Sequence, residues 1–336
     1  MKKVLALAVL AMAGGCIEYD TVSTTAPPVK PNPADPLTPT NTDKLVQVTV
    51  PEVDILYVID NSCSMSDEQA ALSTNFPLFM AYFLGSGLDY HIGAVSTDMS
   101  DANQSGKLWS SNGVKWIDDE TPNPTQVFTN IAVMGVSGSG TEKGRDAAYM
   151  ALEVRKDGYN AGFVRDDASL NIIAVSDEED QSTDIGLNEF INWLVNLKWS
   201  VDMVSFSSIV SPGNGCDTTA GNNYLAVTDA IVDAGGSGIE WSICSEQWDA
   251  LLEQLGLQAS GLKREYFLSE LPVPDSIQVW VEEEGVTYTF TEGELPEGDY
   301  IYNQARNSIV FNEYVPSPLA EVYVEYDVLS ALEGQL

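Results

Sequence analysis

Asp60, Ser62 and Ser64 occupy alternate positions directly after the run 53–59, Val-Asp-Ile-Leu-Tyr-Val-Ile. A strand that ends this way sets one carboxylate and two hydroxyls on the same side of a tight turn. All three are hard oxygen donors, the kind that Mg2+ and Ca2+ prefer. Two neutral hydroxyls and one anion leave a divalent ion under-neutralised, so a further carboxylate must come from elsewhere in the chain. This chemistry suits metal-dependent binding better than catalysis. The competing use of Asp60 and Ser62 is to cap the following helix. A better helix start lies downstream, where Ser66 and Gln69 stand three apart as in a capping box.

Two later segments extend the pattern. The apolar run 169–176 ends in Asp177-Glu178-Glu179-Asp180, and Gly138-Ser139-Gly140-Thr141 opens a helical run over 142–152. With these parts in this order, the chain resembles the von Willebrand factor type A family over residues 46–260. The resemblance implies a metal-ion-dependent adhesion site built from Asp60, Ser62, Ser64, Thr141 and Asp177. The three hydroxyls would ligate the ion, and the two carboxylates would bind it directly or through water. Mg2+ is the implied ion, with Mn2+ or Ca2+ as alternatives. One coordination position would stay open for water or for an acidic side chain of a protein partner. Of the acidic run only Asp177 is expected to be a ligand; Glu178, Glu179 and Asp180 read as a solvated loop or as donors to a second Ca2+. Thr97 and Asp98 end another strand, with Asp98 a turn residue or a support behind the ligands.

The elements that must position these residues alternate between β and α. Strands are expected at 53–60, 90–97, 169–176, 200–208 and 237–242. Helices are expected at 66–84 (kinked at Pro77), 122–134, 143–154, 187–197, 223–234 and 246–258, with short edge segments near 107–117. Such alternation predicts an α/β fold: a mostly parallel, doubly wound, Rossmann-like sheet with helices on both faces. In such sheets, sites form at the carboxyl ends of the strands. Residues 261–336 read differently, as alternating strands near 276–281, 286–290, 308–311 and 321–326, rich in β-branched and aromatic residues. This predicts a small C-terminal antiparallel β unit with Trp280, Tyr288, Tyr300 and Tyr302 in its core, the alternative being that they form a ligand face.

Residues 1–15 carry a basic start, a short apolar run too brief to span a bilayer, and small residues before Cys16. This resembles a bacterial lipoprotein signal in which Cys16 becomes the lipidated first residue. Ala13 stands where Leu is usual, so ordinary signal cleavage is the alternative. Residues 16–45, with Pro27, Pro28, Pro31, Pro33, Pro36 and Pro39 among Thr, Ser and Asn, read as an extended linker of ~3 Å per residue. Export fits the remaining cysteines. A disulfide between the loop residues Cys216 and Cys244, worth ~3 kcal/mol, is favoured. Cys63 would then be an inert buried thiol, although it could also pair with either of the others.

The chain has 50 Asp and Glu against 15 Lys and Arg, a formal charge of −35. Such a surface repels phosphate, which excludes nucleic acid as a partner and leaves only an N-terminal lipid for contact with a membrane. The single histidine, His91, falls inside a strand, no zinc-type cluster occurs and no phosphate loop is present, so no enzymatic constellation is expected. The expected function is metal-dependent protein binding by an exported, lipid-anchored chain of the bacterial cell envelope. Its localisation would be the outer membrane, facing the periplasm or the surface, or otherwise secreted. The alternative is a structural subunit of an envelope assembly whose metal only stabilises the fold.

Overall fold

The structure, a computed structural model, describes residues 39–329 apart from 48–51, 85, 215, 217, 284 and 318. The export signal, Cys16 and most of the proline-rich segment lie outside the described residues. The chain begins with β1 (Thr40–Val46). It then runs through β2 (Glu52–Ile59), α1 (Ser66–Met80), β3 (Asp89–Ser96), β4 (Trp116–Ile117), α2 (Pro124–Ala132) and α3 (Gly144–Tyr149). A π-helical turn (Met150–Val154) leads on to β5 (Ser169–Ser176), α4 (Leu187–Val195), β6 (Val204–Val210), α5 (Asn222–Asp233), β7 (Glu240–Ser242) and α6 (Trp248–Ser260). Six strands complete the order: β8 (Glu265–Phe267), β9 (Gln278–Glu283), β10 (Val286–Phe290), β11 (Tyr300–Asn303), β12 (Ser308–Phe311) and β13 (Glu321–Asp327).

The central sheet has the order β4-β3-β2-β5-β6-β7. All its pairs are parallel except β3 with β4. The two middle strands are buried on both faces, which is why 53–59 and 169–176 read as nearly continuous apolar runs. Successive residues serve opposite layers. Ile55, Tyr57 and Ile59 pack with Phe76, Phe79, Phe128 and Leu252 from α1, α2 and α6. Leu56 and Val58 pack with Ala148, Phe190 and Tyr224 from α3, α4 and α5. Phe76 and Phe128 stack at 4.0 Å between ring centres, and each buried ring contributes about 1.5–3 kcal/mol. α1 and α6 approach so closely that a Cβ on Gly256 would stand 2.7 Å from the Phe79 carbonyl oxygen. At the amino ends of the strands, Arg165 donates to the Asp54 carboxylate from its backbone N–H at 2.6 Å and from Nε at 2.8 Å. His91 lies at this same end, with Nδ1 2.7 Å from the Phe163 carbonyl oxygen.

Several elements differ from expectation. Residues 40–46 are not linker: they form β1, paired antiparallel with β13 from Thr40↔Asp327 to Val46↔Glu321. The strand expected at 200–208 begins at Val204, after a 3-10 turn over Val201–Met203. The β unit therefore contains a strand that precedes the α/β unit in sequence. Its two sheets, β1-β13-β9-β10 and β11-β12-β8, enclose a core of Val279, Val281, Tyr300, Ile309, Phe311, Val322 and Tyr326. Tyr300 is buried there and Tyr302 packs against it. Trp280 is not in that core, because alternation turns Val279 and Val281 inward and sends Trp280 to the outer face, where it stacks on Tyr323 at 5.2 Å. Tyr288 is exposed on β10, an edge strand.

Gln47 fastens β1 to this unit by donating from Nε2 to the carbonyls of Lys263 at 3.0 Å and Pro316 at 3.1 Å. Deleting residues 40–46 should strip β13 of its outer partner. Amide exchange is expected to accelerate along β13 while β5 stays protected, and hydrogen–deuterium exchange read by mass spectrometry checks this.

Candidate metal centre

Parallel pairing of β2 with β5 brings their carboxyl ends side by side, with Ile59 opposite Val175. The Asp60 N–H donates to the Val175 carbonyl at 2.9 Å, so the next residues of both strands, Asp60 and Asp177, leave the sheet at the same place. This is the point where the chain order reverses, β3 lying on one side of β2 and β5 on the other. Crevices form at such reversals.

The turn after β2 is closed by its own polar groups. Asp60 Oδ1 accepts from the Ser62 N–H at 2.8 Å, and Ser62 Oγ lies 3.2 Å from Ser64 Oγ. Asp60 Oδ2 accepts from Ser176 Oγ at 2.7 Å, and Ser176 Oγ accepts from the Glu178 N–H at 3.1 Å. Asp60 and Ser62 are buried, while Ser64 is exposed. Neither Asp60 nor Ser62 caps α1, and the expected capping box is absent. The N-cap is Met65 with no side-chain bond. Gln69 instead lies buried, with Nε2 donating to the carbonyls of Asp60 and Gly135, both at 3.0 Å. A Ser-x-x-Gln pattern has the same appearance in either role, and the burial of Gln69 decides between them.

The loop carrying Thr141 is drawn to the same edge. The Gly138 N–H donates to the Asn61 carbonyl at 2.8 Å, the Ser139 N–H to Asp98 Oδ2 at 3.1 Å, and the Lys143 N–H to the Thr97 carbonyl at 3.1 Å. A Cβ at Gly138 would fall 2.2 Å from Asn61 Oδ1, so a larger residue there would displace the Asn61 side chain. Thr141 itself is exposed, its N–H donating to Ser139 Oγ. Asp98 is a buried support of this loop. Burial raises its pKa, but hydrogen bonds from Ser100, Asp101 and Ser139 outweigh that and hold it below the usual value.

The acidic run after β5 is not simply a solvated loop. Asp180 is buried in an ion pair with Arg145, whose side chain also donates to the carbonyls of Ile185 and Ser182. Asp146, which carried no signal in the sequence, accepts backbone N–H bonds from Thr183, Asp184 and Ile185 and holds that loop. Lys143 turns toward Asp146 and Asp184. Both nearby cations are therefore engaged away from Asp60 and Asp177.

What remains at the edge is negative charge with no counterion among the described residues. Asp177 Oδ1, Glu142 Oε1 and Glu68 Oε2 are buried and meet no hydrogen-bond donor from those residues. Burial pushes the Asp60 pKa up against the pull of its hydrogen bonds from Ser176 and Ser62, and the Asp177 charge adds to the rise. Burial likewise raises Glu68, aided by the charges of Asp177, Asp67 and Asp60. Glu142 is pushed up to about 8 by burial, then by Asp60 and Glu178. Among the described residues, no three His, Cys, Asp or Glu side chains converge as a ready ligand set. The donors are instead hydroxyls mixed with carboxylates. Hard oxygen atoms, orphaned buried carboxylate oxygens and uncompensated charge all fit an Mg2+- or Ca2+-type ion.

Cys216 and Cys244 are joined by a disulfide linking the segments after β6 and β7. Among the described residues Cys63 is unpaired, and the turn exposes it instead of burying it.

No protein-family model matches the sequence, and no curated protein matches it. Among solved structures, the chain is similar to proximal thread matrix protein 1 from the mussel byssus. The TM-score is 0.40 and the identity 11%, over 68% of this chain and 52% of that one. It is also similar to a von Willebrand factor type A protein from Catenulispora acidiphila. There the TM-score is 0.40 and the identity 9%, over 88% of this chain and 67% of that one. The chain thus spans about half the length of the mussel protein it matches.

Gln69→Ala should cost about 1–3 kcal/mol by leaving the buried Asp60 carbonyl and the part-buried Gly135 carbonyl without their donor, measurable by urea denaturation. A second expectation concerns pH. A carboxyl whose pKa rises on folding stabilises the fold below its unfolded value and loses that contribution as pH climbs through the folded value. Glu142, raised to about 8, should therefore make the metal-free protein less stable from about pH 5 upward. The melting temperature of the wild type relative to Glu142→Gln should fall across that window.

Proposed function

We propose that residues 46–260 are a von Willebrand factor type A domain. In this reading, Asp60, Ser62, Ser64, Thr141 and Asp177 hold a divalent cation, Mg2+ before Mn2+ or Ca2+. The protein, exported and anchored in the bacterial envelope through lipidated Cys16, uses the ion's open position to bind an acidic side chain of a protein partner. The observation that carries this reading is the unpartnered, buried Oδ1 of Asp177 beside the Asp60 turn, with Lys143 and Arg145 committed elsewhere. A binding role in preference to catalysis is supported by the position of His91 at the opposite end of the sheet from Asp60.

The alternative is a structural subunit whose metal only stabilises the fold. The turn is already closed by bonds from Ser62 and Ser176 to Asp60, so its shape does not require an ion, which weighs against that alternative. One experiment tests the cation site on which the binding reading rests. Mg2+, Mn2+ and Ca2+ are titrated calorimetrically into the metal-stripped full chain, beside Ser62→Ala/Ser64→Ala. Saturable one-site binding, lost in the double variant, is the expected result. Identical weak heats from both proteins would mean that the acidic surface alone attracts ions, and the binding reading would fall.

A further inference from the structure

Glu142 is wholly buried, yet its Oε1 meets no donor. Its second oxygen accepts from Gln181 Nε2 at 3.2 Å, and its backbone carbonyl accepts from the Gln181 N–H at 2.7 Å. The residue is therefore held in place from its neighbour's side while one carboxylate oxygen is left over. Asp60 and the partly exposed Glu178 both act on Glu142 electrostatically. A buried carboxyl beside other acids, with an oxygen unused, is costly unless a shared proton or a bound group completes it. The basic side chains that flank Glu142 in sequence, Lys143 and Arg145, are engaged with Asp146 and Asp180. Thr141, one of the proposed ligands, immediately precedes it.

We propose that Glu142 belongs to the cation site as an outer carboxylate, its Oε1 accepting a hydrogen bond from a water bound to the cation. The inference rests on the metal-binding reading above and adds to it a residue outside the five-residue motif. Groups that orient a ligand from behind tune metal affinity strongly. Mg2+ keeps several of its waters when it binds, so a carboxylate placed to hold one favours that ion. A role through water also agrees with the lack of a three-carboxylate inner set among the described residues. It divides the coordination positions in two: the water held by Glu142 stays, and a partner displaces another.

The test uses Mn2+ as probe, titrated into the metal-stripped full chain and followed by the electron spin resonance of free Mn2+ and by water-proton relaxation. Mg2+ competition is measured alongside. Wild type is expected to bind at one site that Ser62→Ala/Ser64→Ala abolishes. Glu142→Gln should weaken Mn2+ and Mg2+ by roughly 10–100-fold and alter the relaxation of the bound ion's water. Glu142→Asp, which keeps the charge, should recover part of that loss. Wild-type affinity and relaxation in Glu142→Gln would overturn the inference while leaving the five-residue site standing. Equal losses in the Gln and Asp variants would overturn it in favour of a packing role. No saturable site in the wild type would remove both. Thermal melting of each metal-free variant shows whether it is folded.

Discussion

Parallel strands end on the same side of their sheet, and the site described above depends on that constraint. Register between β2 and β5, set by two runs of apolar residues buried on both faces, decides that Asp60 and Asp177 emerge together. A slip of one residue would turn Ile55, Tyr57 and Ile59 to the wrong layer, so the cores above and below the sheet lock the register. The geometry of a polar site is thus fixed by hydrocarbon packing some distance away. Gln69, Gly138 and Asp98 then bind the surrounding loops to strand ends whose positions are already determined.

The chain handles its buried acids in three ways. Asp180 and Asp54 are matched with Arg145 and Arg165. Asp98 is matched with N–H and O–H groups of its own loop, and Asp146 with backbone N–H groups beside Lys143, 3.6 Å away. Asp60, Asp177, Glu68 and Glu142 share one edge, and neither Lys143 nor Arg145 turns to them. Basic residues are few in this sequence. Their allocation to Asp54, Asp146 and Asp180 and away from this edge is what gives the site its electrostatic character.

Local patterns were legible in the sequence and long-range pairings were not. The alternation of strands and helices pointed to a mainly parallel sheet, and Asp60, Ser62 and Ser64 follow the carboxyl end of one of its strands. Two cysteines in loops pointed to the Cys216–Cys244 disulfide. Gln69 was misread because a capping partner and a loop fastener share one pattern. Asp180 was misread because its partner Arg145 lies 35 positions away and a run of acids looks solvated. β1 escaped notice because Thr-Asn-Thr-Asp-Lys has little strand character of its own, and its pairing with β13 supplies what composition lacks. Glu142 has no signature at all; only its burial identifies it.

That first strand also sets an order of events during synthesis. Thr40 and Asp327, joined by a hydrogen bond, are 287 positions apart, so β1 leaves the ribosome long before its partner exists. Closing so wide a loop carries an entropic cost and slows the step that depends on it. Everything from β2 to α6 lies inside that loop and can collapse on its own strands and helices first. The β unit can close only once β13 has been made, from strands on either side of the α/β unit, which is in effect an insertion within it. A chain released before β13 would hold a finished sheet, an unfinished sandwich and a first strand with nothing to pair with.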